Sequence, residues 1–90
     1  MNNCGKYNNN NLNLIGETLR DIRLRKNISF ERLSNKLLLL GVNIPVTSLH
    51  RIENNQRTVR DYEICALSIA LDVSFDELLL PVKNVMLNKN

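Results

Sequence analysis

The sequence predicts an all-α fold built from five short helices. Three observations predict it. Apolar residues recur at intervals of three and four between Asn13 and Leu80, the spacing of one helix face. Ser29 and Ser74 stand just before apolar stretches as N-caps, and Asn27 and Gly41 stand just after them as stops. No stretch carries a convincing strand pattern.

Each element has its own signals. Ile15, Leu19 and Ile22 fall at i, i+4, i+7 and predict a first helix ending near Lys26, with Asn27 closing it. Ser29 caps a second helix over residues 30–40, whose core face is Phe30, Leu33, Leu37 and Leu40, with Gly41 as a left-handed stop. Asn43-Ile44-Pro45 reads as a joint, because proline biases the preceding residue away from helix. A third helix spans about residues 46–54, with Leu49 and Ile52 inward, and Asn55 to Thr58 reads as a polar loop. A fourth covers residues 61–71 on Ile64, Leu67 and Leu71, with Cys65 and Ile69 beside that stripe and Cys65 expected as core filler. Ser74-Phe75-Asp76-Glu77 is a capping box that opens a fifth helix over residues 75–80, which Pro81 is expected to stop. Helices this short do not persist alone in water, so a shared core must hold them. Ile15, Leu19, Ile22, Leu33, Leu37, Leu49, Ile52, Ile64, Leu67, Leu71, Val73, Leu78 and Leu79 are the expected core.

Ninety residues give one domain with tails. Residues 1–12 form an asparagine-rich tail with little to bury, expected to be disordered. Residues 13–80 hold the helices, and residues 81–90 form a short tail. In that tail Val82, Val85, Met86 and Leu87 lack an obvious partner in their own domain, which makes a homodimer contact by them, with Leu79 or Leu80, an expectation. The longest apolar run is four residues, against the roughly 20 that cross a bilayer, so no membrane span is expected. The N-terminus shows no apolar leader, and the two cysteines, Cys4 and Cys65, cannot build a disulfide framework, so a reduced cytoplasmic chain is expected. One histidine and no glycine-rich phosphate loop leave little from which to assemble an enzyme, a metal site or a cofactor site, and none is expected.

Charge is unevenly spread. Residues 1–60 carry ten basic and four acidic side chains, a balance of +6, while residues 61–90 carry two basic and five acidic, a balance of −3. One end suits a polyanion, although solvated helix faces would give a similar asymmetry. The third helix is more specific. At 100° per residue, Thr47, His50, Arg51 and Asn54 cluster opposite Leu49 and Ile52. All four can bond to base edges or phosphates, whereas a plain solvated helix usually carries Lys and Glu pairs.

The order of motifs goes further. Ile15-Gly16-Glu17-Thr18-Leu19-Arg20-Asp21-Ile22-Arg23 precedes Ile28-Ser29-Phe30-Glu31-Arg32-Leu33-Ser34; Leu49-His50-Arg51-Ile52-Glu53-Asn54-Asn55-Gln56-Arg57 follows, then Ile69-Ala70-Leu71-Asp72-Val73-Ser74-Phe75-Asp76-Glu77-Leu78. This series resembles the Cro/repressor-type, or xenobiotic-response-element, helix-turn-helix family over residues 13–80. The resemblance implies a compact five-helix lambda-repressor-like domain that binds double-stranded DNA as a homodimer and acts as a transcriptional repressor. It implies base contacts by Val46, Thr47 and Arg51, flanked by His50 and Asn54, and phosphate contacts by Ser48, Arg57 and Arg60. It also implies a structural ion pair between Arg23 and Glu53. The second reading is an antitoxin-like protein-interaction module of the same fold.

The sequence departs from the family pattern in places. Phe30 stands where Gln usually touches a phosphate, and is expected to pack instead. Ser34 and Ser68 replace small alanines, so each hydroxyl needs a partner. Asn55 replaces the usual glycine after the recognition helix, and asparagine tolerates a left-handed conformation. The stretch from Ser34 to Leu49 is longer than usual, which fits a branch with a lengthened turn.

Overall fold

Local signals set the helix ends. The computed structural model describes residues 10–88, and these form α1 (Gly16–Arg25), α2 (Phe30–Leu39), α3 (Val46–Glu53), α4 (Asp61–Leu71) and α5 (Phe75–Leu87). Apart from an isolated bridge at Asn11, helices and their connections account for the described residues, and none of them forms an extended strand. The first four helices each end on a left-handed residue: Asn27, Gly41, Asn55 and Asp72. At each end the following amide reaches back to a carbonyl of the last turn, as Ile28 N–H does to Arg23 and Val42 N–H to Leu37. Ser29 and Ser74 accept the N3 amides of α2 and α5, and the Glu77 carboxylate accepts the Ser74 backbone N–H in return.

The principal packings form a closed cycle: α1 on α3, α3 on α2, α2 on α4, α4 on α5, and α5 back on α1. Each helix therefore buries one face against two neighbours and leaves the other free. Leu19, Leu33, Leu37, Ile44, Leu49, Ile52, Leu67, Leu71 and Leu78 are fully buried at the centre. Complete burial of a Leu or Ile is worth about 1.5–3 kcal/mol, so these positions carry the fold. Among the described residues no buried side-chain nitrogen or oxygen lacks a hydrogen-bond partner.

Several sequence expectations need correction. Ile44 is a core residue and not merely part of a joint: it is fully buried, and the Ser34 hydroxyl donates to its carbonyl at 2.8 Å. The segment joining α2 to α3 is thus pinned at Ile44. The Ser68 hydroxyl finds its partner in the Cys65 carbonyl, 2.7 Å away. Leu40 lies outside the core face of α2, because the helix ends at Leu39 and Leu40 turns toward solvent. Ile28, Ala66 and Ala70 join the core, while Ile64, Val73 and Leu79 pack at its edge. Cys65 is not core filler: it is exposed, as are Tyr62 and Ile69 on the same side of α4.

The largest correction is at Pro81, which sits inside α5 instead of stopping it. A proline removes one backbone hydrogen bond and crowds the preceding turn. Burial offsets that loss, because Val82, beyond the proline, packs against the core. The apolar residues of 81–87 therefore divide, with Val82 and Val85 half-buried and Met86 and Leu87 exposed. At the other end, residues 1–9, including Cys4 and Lys6, lie outside the described residues. Leu12, assigned to the tail by sequence, belongs to the fold: it is half-buried and its N–H donates to the Asn55 carbonyl at 3.0 Å.

Candidate functional site

The α3 helix is short because its cap signals are close together. Pro45 precedes it in an extended conformation, and Asn55 ends it in the left-handed region. Its inner side is Leu49, Ile52 and Glu53, all buried. Thr47, His50, Arg51 and Asn54 are exposed, and Val46 and Ser48 are half-buried at the margins. The structure thus brings the four polar residues named from helical spacing to one open side. Arg51 makes a long contact to the Gln56 carbonyl, 3.5 Å at Nη2, and most of its guanidinium remains available.

Three devices fix α3 in place. The first is an ion pair from α1. Arg23 donates Nε to Glu53 Oε2 at 2.7 Å and Nη2 to Oε1 at 3.2 Å, and its Nη1 donates to the Ile28 carbonyl at 3.0 Å. Both side chains are nearly buried, so the pair is a fixed strut between α1 and α3, unlike an exposed pair of little value.

The second device is a close crossing at Gly16. A Cβ there would lie 2.5 Å from the Ile52 carbonyl oxygen and 2.7 Å from that of Glu53. Only glycine lets the start of α1 approach the end of α3 so closely.

The third device is Asn13, which the sequence reading did not single out. Its Oδ1 accepts the Ile15 and Gly16 amides, at 3.0 and 2.9 Å, and so caps α1. Its Nδ2 donates to the carbonyls of Ile52 at 3.0 Å and Arg57 at 2.8 Å. Asn55 completes the clamp, donating Nδ2 to the Asn13 carbonyl and side-chain oxygens.

Residues expected on phosphates are distributed differently from one another. Ser48 is half-buried on α3. Arg57 lies against Glu63 of α4 in a two-pronged pair, Nη1 to Oε1 and Nη2 to Oε2, each 3.0 Å. Its Nη1 also donates to the Thr58 carbonyl. Most of its donors are therefore engaged within the chain. Arg60, which precedes α4, keeps a largely exposed side chain whose Nη1 comes no closer than 3.5 Å to Glu63 Oε2, while its backbone N–H donates to Glu63 Oε1 at 2.9 Å. Burial pushes the Glu63 carboxyl up, but the Arg57 hydrogen bonds, the Arg60 backbone N–H and the two positive charges hold it below its ordinary value. The same hydrogen bonds raise Arg57 further, against the opposing pull of burial.

A groove of about 550 Å³ opens beside α3, between its exposed side and α1. Glu17, Arg20, Phe30, His50 and Asn54 are on its walls. Arg20 was not a sequence candidate; only the packing of α1 on α3 brings it beside that face. Phe30 packs, with its ring 3.9 Å from the His50 ring and 3.8 Å from the Arg23 guanidinium carbon. Among the described residues no group of three or more His, Cys, Asp or Glu side chains converges as a metal site would, and no helix is long and apolar enough to cross a membrane. No protein-family model, curated protein or solved structure matches the chain.

Proposed function

We propose that this chain is a sequence-specific double-stranded DNA-binding protein of the Cro/repressor type that regulates transcription as a repressor in the cytoplasm. The observation that carries the reading is the exposed side of α3, where Thr47, His50, Arg51 and Asn54 project together from a helix clamped on its other side. A helix of this kind fits the major groove, about 12 Å wide, with its polar side toward the base edges. In this reading α2, the lengthened turn and α3 form the helix-turn-helix. Val46, Thr47, His50, Arg51 and Asn54 meet bases, and Ser48 and Arg60 meet phosphates. Arg57 contributes mainly by holding Glu63. The +6 balance of residues 1–60 supplies the attraction to phosphate.

One recognition helix offers few base contacts, so the reading includes a two-fold homodimer on half-sites about 34 Å apart. Leu80, Met86 and Leu87 on α5 are exposed and are the residues assigned to that contact. Light scattering with and without duplex measures it, and a strict monomer in both states removes the dimer.

The test of DNA binding is duplex affinity across a salt series. Binding should weaken linearly on a logarithmic plot, with a slope of about −0.9 per phosphate neutralised. Arg51→Ala should narrow the gap between a preferred and a scrambled duplex by about 1–3 kcal/mol. Arg60→Ala should weaken both duplexes alike and lower the slope by about 1. Equal losses on both duplexes from Arg51→Ala would contradict its base-reading role.

A further inference from the structure

His50 is the chain's one histidine, and it stands exposed in the middle of the α3 polar side. An exposed imidazole ordinarily samples several rotamers and loses that freedom on binding. Here the ring is already engaged. Its centroid lies 3.9 Å from that of Phe30, with 31° between the planes. Phe30 is the first residue of α2 and is itself held by the Arg23 guanidinium, whose carbon is 3.8 Å from the ring centroid. Arg23 is locked in turn by two hydrogen bonds to Glu53. Glu53 lies on α3, three residues beyond His50, so the chain of contacts returns to the helix where it began. Three helices contribute to this closed loop of four side chains, and only the imidazole lies on the open side.

We propose that Phe30 is a positioning residue for His50, and that the Glu53–Arg23–Phe30–His50 loop fixes the imidazole to read one base edge in the duplex. The inference rests on the DNA-binding reading and adds a recognition element to it. The base edge is that of a purine, whose N7 acceptor in the major groove suits a ring N–H donor. Stacking removes rotamers before DNA arrives, so less order is lost on binding. Immobilising one free side chain costs the equivalent of about two- to tenfold in affinity, and that is the advantage the stack supplies.

The test is selection from random duplexes, followed by competition binding, on the wild type and the H50A, F30L and F30Y variants. H50A and F30L should both flatten the preference at the same base pair, by about two- to tenfold. F30Y, which keeps an aromatic ring, should retain it. An F30L protein that keeps the preference lost by H50A, or that weakens every duplex alike, overturns the inference and leaves the DNA-binding reading intact. A wild type that selects no duplex overturns both. A second measurement does not depend on how F30L folds. In the free wild type, the His50 ring protons should resonate upfield of their random-coil positions because Phe30 shields them. Random-coil positions for those protons would also overturn the proposal.

Discussion

Arg57 and Arg51 are six residues apart and do different work. Arg51 is exposed and nearly free, whereas Arg57 is spread across both oxygens of Glu63. Removing Arg57 leaves a carboxylate with almost no solvent around it. Arg57→Ala should therefore lower thermal stability by about 1–3 kcal/mol, the cost of a buried carboxylate that loses its two-pronged partner and keeps only Arg60. Arg51→Ala should stay within about 0.5 kcal/mol of the parent, as surface changes do. Calorimetry on the two variants separates them, and equal melting temperatures would show that the Arg57–Glu63 contact carries little. Glu63 also predicts a pH effect. Its carboxyl is held below its unfolded value, so it adds stability above that value and loses it as the pH falls through the folded one. Glu63→Gln should be less stable than the parent at pH 7, and the gap should narrow as the solution is acidified. A gap that is constant or widens toward acid would reverse that assignment. Position in sequence made both arginines visible as candidates; it could not show which one a carboxylate six residues further on would occupy.

Helix starts were legible because their signals are local. Ser29 and Ser74 bond amides three residues away, and the left-handed residues Asn27 and Gly41 follow the last apolar positions. The end of α5 was not legible, because it depends on what lies opposite. Pro81 breaks a helix in isolation, yet the packing of Val82 carries α5 through it to Leu87. Pro81→Ala restores a backbone hydrogen bond while freeing the unfolded chain, and the net effect should be a gain of about 2 kcal/mol, read by chemical denaturation. Destabilisation instead would mean that the proline ring itself is a needed packing element. The α1–α3 crossing makes the opposite prediction. Gly16→Ala forces a methyl against two backbone carbonyls and should cost about 1–3 kcal/mol, the usual penalty of overpacking. The Asn13 clamp was invisible for a different reason: two of its acceptors are 39 and 44 residues away, beyond any local pattern.

Across the molecule, the all-α class and the exposed polar side of α3 were readable for the same reason. Helical period alone decides which residues share a face, and five short helices in a short chain leave one core to bury them in. What the period could not supply was the order of packing. The closed cycle of helices places α3 between α1 and α2, brings Arg20 and Phe30 beside the polar side, and sends Ile44 into the core. The sequence also gave the uneven charge, with +6 in residues 1–60 and −3 beyond them. Two of those basic side chains, Arg23 and Arg57, are consumed in internal pairs, so the surface attraction rests on the others. Selection of bound molecules from a pool of random duplexes tests the central claim most directly. The account predicts one enriched motif, arranged as two inverted half-sites a helical turn apart, that loses information at a defined base pair when Arg51 becomes alanine. A pool that stays random, while the protein remains folded and salt is low, would contradict it.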